Sequence, residues 1–355
     1  MTYCLAEISK ILKEKLLYFF WCICLCINIV LCFINPNVRK SFNQLSDRDF
    51  LQSGEKIYDK YSGANLGKAY YNERYINSSV LNQLMKTKYD NLQNAIDRLN
   101  SEDADLSYYA GELTPSVHEA LFERQLKALI IECMIFISLL CLRAFSVESQ
   151  NETEALIYSS FRGRRVAKDK IIATGIAGLI FCLTLIVISL GVFFSAWDFG
   201  RIWDMNISGS FNLVHEPTVA VYLKPFITWN SFSVKTYLVF SLLLTGMILI
   251  AWWLISNAVA LFIRNDFKRA LILVAFLGLP CFGIMLFPEL NLSVAYYLST
   301  LTLSMVVLYS QWWFTDLGHY TVFAYQETGV VIVNLLAAVI CVSLGIRYFR
   351  RKDMK

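Results

Sequence analysis

The chain alternates between long apolar runs and polar segments. Six apolar runs occupy residues 16–34, 128–142, 171–197, 236–263, 270–287 and 329–346. A helix of about 20 residues rises 1.5 Å per residue and crosses roughly 30 Å of hydrocarbon. Because backbone groups in lipid must bond to one another, each run is expected to be helical. The pattern therefore predicts an all-α polytopic membrane protein with six transmembrane helices.

The basic residues predict the orientation of these helices. Lys and Arg cluster before the first run, between the second and third, between the fourth and fifth, and after the last. Such clusters favour the cytoplasmic side of a membrane. We therefore expect a multi-pass protein of the cell (plasma) membrane with both termini in the cytoplasm, including the tail at residues 347–355.

A seventh apolar stretch, Leu292 to Phe314, is treated differently. It lies in residues 288–328, which contain no Lys or Arg. Counting it as a span would place the two termini on opposite sides and break the charge rule. We therefore predict a re-entrant or interfacial element on the outer side of the membrane.

The remaining segments have their own patterns. Residues 1–15 place apolar side chains opposite lysines, which predicts an amphipathic helix in the membrane interface. Residues 35–127 are predicted to form a small helical extracytoplasmic domain, because they contain an apolar stripe at helical spacing. The stripe consists of Leu81, Leu84, Met85, Leu92, Ile96 and Leu99. A second helix in this domain, starting near Pro115, is expected to continue into the second run. Residues 198–235 form an outer loop.

The composition agrees with a membrane protein and narrows its chemistry. Hydrophobic residues make up 56% of the chain, charged residues 17%, and the mean hydropathy is +0.48. Nine of the ten cysteines lie inside apolar runs, which excludes a secreted disulfide framework. Cys22, Cys24 and Cys26 alternate, so they do not converge on one face of a helix and are read as small apolar fillers. No basic domain is present, and we expect no nucleic-acid partner.

The common catalytic motifs do not occur in this chain. The sequence contains no phosphate loop of the form GxxxxGK[ST], no HExxH and no GxSxG, and its three histidines lie in separate segments. We therefore expect no catalytic, cofactor-binding or metal site here, and no enzyme activity of the isolated chain.

The segment between the second and third runs, residues 143–170, has an ordered charge pattern. Three acidic residues, of which Glu148 is the first, precede five basic residues that end with Lys170. This order complements the dipole of a short helix. The residues alone leave two interpretations open. The segment is either a helix through which a cytoplasmic partner moves two spans, or an ordinary solvated loop.

This segment resembles the coupling segment of type-2 ATP-binding-cassette (ABC-2) exporter permeases of bacteria. Their pattern is Phe-Ser-x-Glu, then Thr-x-x-Leu-Leu, a Ser, a Pro, a small residue with Arg, and a Lys that opens the third span. The matching residues are Phe145, Ser146, Glu148, Thr153, Leu156, Ser159, Arg164 and Lys170. Glu152 and Phe161 depart from the pattern, since the family has Gly and Pro there.

The resemblance implies a permease subunit that couples ATP hydrolysis to export. It implies a cytoplasmic ABC ATPase subunit as partner, which carries the ATP and Mg, and a second permease chain in a homo- or heterodimer. The exported substrate would be hydrophobic or amphipathic: a peptide, a drug or a lipid. The alternative is a mechanotransmission or sensory membrane protein that acts through its outer domain without transport.

Three residues within the runs are candidates for a translocation path. Glu132 is an acidic residue well inside a span, where an ionisable group is costly. It either contacts substrate, or extends to the interface or pairs with Lys127. Trp252 and Trp253 lie near the middle of the fourth run, where they either line a pathway or pack against lipid or other helices.

Overall fold

The computed structural model of the chain describes residues 2–34, 58–70, 79–102, 118–150, 153, 163–197, 199, 203–210 and 226–351. Within these ranges all the regular elements are helices. The α-helices are α1 (Thr2–Leu12), α2 (Lys15–Phe33), α3 (Gly63–Tyr70), α4 (Ser79–Ser101), α5 (Leu126–Gln150), α6 (Val166–Ala196), α7 (Ile207–Ser210), α8 (Val234–Phe262), α9 (Asp266–Glu289), α10 (Ser293–Thr300), α11 (Leu303–Leu308) and α12 (Gln326–Arg351).

Six of these helices are long and apolar enough to cross a membrane, as predicted. They are α2, α5 together with the π-helical turn Glu119–Gln125 that precedes it, α6, α8, α9 and α12. The expectation that a helix continues from the polar segment into the second span is confirmed from residue 118 onward. Its proposed start near Pro115 lies outside the described residues.

Several helices extend beyond their apolar runs. The second span continues to Gln150 although its apolar run ends at residue 142, and the third begins at Val166 rather than at residue 171. The charged residues in these extra turns bond to one another, as shown below, so the helices need not end where the hydrocarbon does. At the fifth span, Asn265 caps α9 by accepting a hydrogen bond from Lys268 N at 3.0 Å, so the helix begins at Asp266.

The bundle is built around α5. This helix contacts α2, α6, α8 and α9, while α8 also packs along the length of α12. Its inward residues Leu126, Leu129, Ile130, Cys133 and Leu140 are completely buried. By contrast, α9 exposes most of its apolar side chains, as a helix on the lipid side of a bundle does.

The apolar stretch between the fifth and sixth spans is broken into short elements. Its two helices, α10 and α11, have eight and six residues, too few to cross the hydrocarbon. Asn291 before them and Phe314 after them have positive φ angles of 54° and 61°, which interrupt the helical conformation on both sides. These lengths agree with the prediction that Leu292 to Phe314 does not span.

A cap covers one end of the bundle. We use this name for the described residues 58–70, 79–102, 226–233 and 290–325, which pack together at the end opposite the chain termini. One apolar cluster joins α4 to the other cap elements. It contains Tyr58, Tyr61, Leu66, Met85, Leu92, Ile96, Leu99, Ile227, Trp229, Tyr296, Tyr297 and Val322.

The predicted apolar stripe of α4 is wrong at Leu84, which is 41% exposed. Met85 and Lys88 occupy the buried face of the helix instead.

Lys88 fixes α4 to the rest of the cap. The residue is 1% exposed, and its Nζ lies 2.9 Å from Asp316 Oδ1. The ammonium also donates to Gly318 O at 2.7 Å and to Thr321 O at 3.0 Å. Burial lowers the pKa of Lys88, and the attraction of Asp316 opposes this effect. Gly318 has a φ of 62°, a conformation that glycine adopts without strain. In this conformation the Gly318 carbonyl group accepts the hydrogen bond from Lys88.

The first prediction concerns topology. Position 290, at the end of α9, and position 320, in the cap, are expected to lie on the same side of the membrane. In a background without the ten native cysteines, a membrane-impermeant thiol reagent should label Leu290→Cys and Tyr320→Cys from the same face. Labelling from opposite faces would show that the stretch between them spans.

The second prediction concerns the cap. Removing one partner of a buried ion pair typically costs about 3–5 kcal/mol, because the other charge stays buried. Lys88→Ala should therefore release α4, with faster hydrogen exchange of the α4 amides in the full-length protein. Lys86→Ala, at an exposed position of the same helix, is the matched control and should exchange as the unmodified protein does. Equal exchange in the two variants would contradict the assigned role of Lys88.

Candidate functional site

Three of the residues that match the coupling pattern, Phe145, Glu148 and Lys170, meet at the end of the bundle that carries the chain termini. Glu148 in the last turns of α5 pairs with Lys170 in the first turns of α6, and each residue is 3% exposed. Lys170 Nζ also donates to Ala144 O at 2.6 Å and lies 5.3 Å from the centre of the Phe145 ring. One buried lysine therefore holds the end of the second span against the start of the third.

A residue outside the sequence pattern joins this pair. Lys10 of α1 lies with its Nζ 3.5 Å from Glu148 Oε1 and 2.6 Å from Glu7 Oε1. Glu14, just after α1, lies 3.2 Å from Arg143 Nε. We name Lys10, Glu148 and Lys170 the coupling cluster. It connects the N-terminal helix with the two spans that flank residues 151–162.

The other pattern residues are described to different extents. Thr153 lies beyond the end of α5, and its backbone N donates to Glu148 O at 3.0 Å. Arg164 belongs to the 3₁₀ turn Gly163–Arg165 that leads into α6. Leu156 and Ser159 lie outside the described residues, so their contribution to a coupling helix stays a prediction.

The turn between the fourth and fifth spans lies at the same end. Gln150 Nε2 at the end of α5 donates to Asp266 Oδ2 at 3.5 Å. Arg269 is 5% exposed and donates to Ile263 O at 2.6 Å and to Ala260 O at 3.2 Å. Arg269 therefore caps the carbonyl end of α8, while Lys268 beside it points to the exterior.

Glu132 lies in a chain of polar side chains between α2 and the second span. Asn28 Nδ2 donates to the Glu132 carboxylate and to Cys24 O, the latter at 2.8 Å. Gln125 Nε2 in turn donates to Asn28 Oδ1 at 2.8 Å, and Asn28 is completely buried. Asn28, rather than Lys127, is thus the partner that the structure gives Glu132.

The two tryptophans have separate environments. Trp252 is 1% exposed, and its Nε1 donates to Met134 O at 2.8 Å and to Ser138 Oγ at 2.9 Å. Trp253 donates to Thr174 Oγ1 at 3.1 Å and lies against Gly175, where an added Cβ would come within 2.8 Å of the indole. Both indoles therefore join helices in this conformation, and a role in a translocation path stays a prediction.

Some important polar residues were not found by sequence reasoning. Four such residues lie inside or near apolar runs: Lys10, Asn28, Gln125 and Asn257. The spacing of apolar residues predicts a helix there, but it does not indicate which distant residue a polar side chain contacts. Asn257 illustrates this, since it is fully buried and its Nδ2 lies 3.4 Å from Cys141 Sγ of another span. A useful signal is polarity itself, because an amide inside a membrane helix requires a partner.

The described residues do not form a metal site. Among them, no three His, Cys, Asp or Glu side chains come together as such a site would require. All ten cysteines lie in the described residues and are free in this structure.

Comparison with known proteins adds no relative. No protein-family model, curated protein or solved structure matches this chain. The likeness to ABC-2 permeases therefore rests on the residues quoted above.

The third prediction concerns the polar chain at Glu132. Interhelical hydrogen bonds in membranes are worth on average about 0.6 and up to about 2 kcal/mol. Asn28→Leu removes one donor and one acceptor that join two helices, and should lower the free energy of unfolding of the purified protein by about 1–2 kcal/mol.

The matched control for this variant is Asn334→Leu in α12. Within the described part of the chain, Asn334 Nδ2 donates to Val330 O of its own helix at 2.8 Å and to no other residue. Its replacement should change stability by less than Asn28→Leu does. Both variants are measured by reversible unfolding in mixed micelles, and equal losses would argue against an interhelical role of Asn28.

Proposed function

We propose that this chain is the membrane-spanning permease subunit of an ATP-driven ABC exporter whose ATPase is a separate cytoplasmic polypeptide. The observation that carries the proposal is the coupling cluster. Within residues 143–170, which join the second and third spans, the buried side chains of Glu148 and Lys170 pair. A partner that displaces this segment would therefore move the second and third spans together.

The N-terminal helix extends this connection. Because Lys10 contacts Glu148, a displacement at the coupling segment also reaches α1, which packs along α6. An amphipathic helix in the membrane interface is suited to follow such a movement. The six apolar helices supply the membrane part that a permease needs.

The proposed assembly contains two permease chains and two ATPases. The exposed apolar surface of α9, including Phe282 at 71% and Met285 at 77%, suits contact with lipid or with a second permease chain. ATP and Mg would bind to the ATPase. The exported compound would be hydrophobic or amphipathic, with a peptide, a drug or a lipid as the candidate classes.

A sensory or mechanotransmission role without transport is the second candidate. The docking of α4 through Lys88 favours it, because a ligand that binds α4 from outside could change the cap directly. The two candidates differ in whether an ATPase binds at the coupling segment.

The fourth prediction tests coupling. Leu156→Asp removes an apolar contact worth about 1.5–3 kcal/mol when buried and adds the cost of desolvating a carboxylate. Combined with Glu148→Lys, which places a second positive charge beside Lys170, it should abolish co-purification of the ATPase in mild detergent. ATP hydrolysis by the purified complex should fall to the rate of the ATPase alone.

Two further variants make this result interpretable. Glu148→Gln keeps the shape of the side chain but removes its charge, and should retain the ATPase while weakening stimulation of hydrolysis. Lys268→Glu alters an exposed charge at the same end of the bundle, and should change neither property. Normal ATPase binding and normal hydrolysis by the double variant would refute the exporter proposal.

A further inference from the structure

Glu132 is the only Asp, Glu, Lys, Arg or His residue in the six apolar runs. A cation that pairs with it would therefore have to come from beyond the runs. On its own helix the nearest basic residues are Lys127 and Arg143. At a rise of 1.5 Å per residue, they lie about 8 Å and about 16 Å away along the helix axis. Only Lys127 is close enough to be considered as a partner.

Lys127 does not share a face of the helix with Glu132. A separation of five residues turns an α-helix by about 500°, so the two side chains leave the helix about 140° apart. The acidic group that attracts Lys127 is Glu123, four residues before it. In the described part of the chain, Glu132 forms no ion pair.

The polar groups around Glu132 are neutral. From α2, Asn28 Nδ2 donates to the carboxyl group, and the Cys24 thiol lies within electrostatic reach. On α5, the Cys133 thiol is adjacent to Glu132 and shares a hydrogen bond with Cys182 of α6. Free thiols are largely protonated at pH 7. Because Glu132 is only 8% exposed, these neutral groups form most of its surroundings.

The other described elements that contact α5 bring no charge to this position either. The apolar runs of α8 and α9 contain no charged residue, and neither do α11 and the 3₁₀ turn Ser310–Trp312. Helix α1 is charged, but it pairs with α5 at Glu148, 16 residues beyond Glu132. The charged residues of the π-helical turn lie eight or more residues before Glu132.

The orientation of Asn28 makes it a donor to Glu132. Its Oδ1 accepts from Gln125 Nε2 at 2.8 Å, while its Nδ2 donates to Cys24 O and to Glu132. One neutral amide is therefore the only side-chain donor that the described residues give this carboxyl group. Desolvation disfavours the charged form of an acid, and ionisable groups within membranes are normally paired or face water. A bound proton removes the charge and still leaves one oxygen that accepts from Asn28.

We propose that Glu132 is a proton-binding site, whose carboxyl group is neutral in the folded chain at pH 7. The bound proton allows α2 to pack against the second span without an unpaired charge between them. Release of the proton places a carboxylate among neutral groups, and should favour separation of α2 from the second span so that water can reach the charge. The inference does not depend on the exporter proposal, because it concerns a contact within the chain and its tests require no ATPase.

The fifth prediction tests the proton-binding site by infrared spectroscopy of the full-length chain in nanodiscs at pH 7. The difference spectrum between the unmodified protein and Glu132→Gln should contain the C=O stretching band of a protonated carboxyl group. Glu289→Gln, the same change at an exposed position at the end of α9, should produce no such difference, because an exposed carboxyl group is ionised at pH 7. If the Glu132→Gln difference spectrum lacks the band, the proposal is overturned.

A second variant assigns the band without changing Glu132. Asn28→Leu removes the amide that donates to the carboxyl group. A hydrogen bond to a C=O group weakens the double bond, so its loss should move the Glu132 band to higher frequency. Asn334→Leu, which removes an amide bonded within α12, should leave the band in place. An unshifted band in Asn28→Leu would contradict the assignment. Circular dichroism and elution volume should match those of the unmodified protein for every variant compared.

The bound proton also makes stability depend on pH. A carboxyl group that is protonated in the folded chain and ionised in the unfolded chain takes up a proton on folding. Its contribution is complete below about pH 4, where the unfolded carboxyl group is protonated too, and is lost as the pH rises towards the titration of the folded site. Within this window the equilibrium constant of folding should fall by up to about tenfold per pH unit.

Reversible unfolding in mixed micelles measures this effect. Between about pH 5 and about pH 7, the folding constant of the unmodified protein should fall relative to that of Glu132→Gln, which cannot ionise. Glu289→Gln should follow the unmodified protein. Parallel pH profiles of the unmodified protein and Glu132→Gln would overturn the proposal.

Discussion

The structure depends on the pairing of charged and amide groups that enter the apolar bundle. For the backbone this requirement produces long helices, since a helix satisfies its own amide and carbonyl groups. For side chains it produces contacts between helices: Asn28 reaches Glu132, Lys170 reaches Glu148, and the indole of Trp253 reaches Thr174. These few contacts fix how otherwise similar apolar helices are positioned, because apolar packing alone does not distinguish well between neighbours in lipid.

The two ends of the bundle use this principle differently. At the end with the termini, the coupling cluster connects α1, α5 and α6 through a single carboxylate, Glu148. At the other end, the cap combines an apolar cluster with the Lys88–Asp316 pair.

The sequence predicted the elements well but their contacts poorly. The six long helices followed from apolar length, and the short cap helices agree with the missing basic residues after Glu289. Glu148 and Lys170 were found because a local pattern contains both. Asn28 and Lys10 were not found, because their partners lie 104 and 138 residues away along the chain. A local sequence pattern does not indicate contacts over such separations. Leu84 was misplaced because helical spacing alone does not decide which side of a stripe is covered.

The contacts of Lys88 have a consequence for how the protein is made. The carbonyl group of Gly318 lies 230 residues further along the chain, so it is synthesised long after α4. At a translation rate of about 5–20 residues per second, the partners of Lys88 are synthesised on the order of tens of seconds after Lys88 itself. During this time all but the last span can enter the membrane, while α4 stays undocked. Docking of α4 through Lys88 therefore cannot be completed until residues 316–321 have been synthesised.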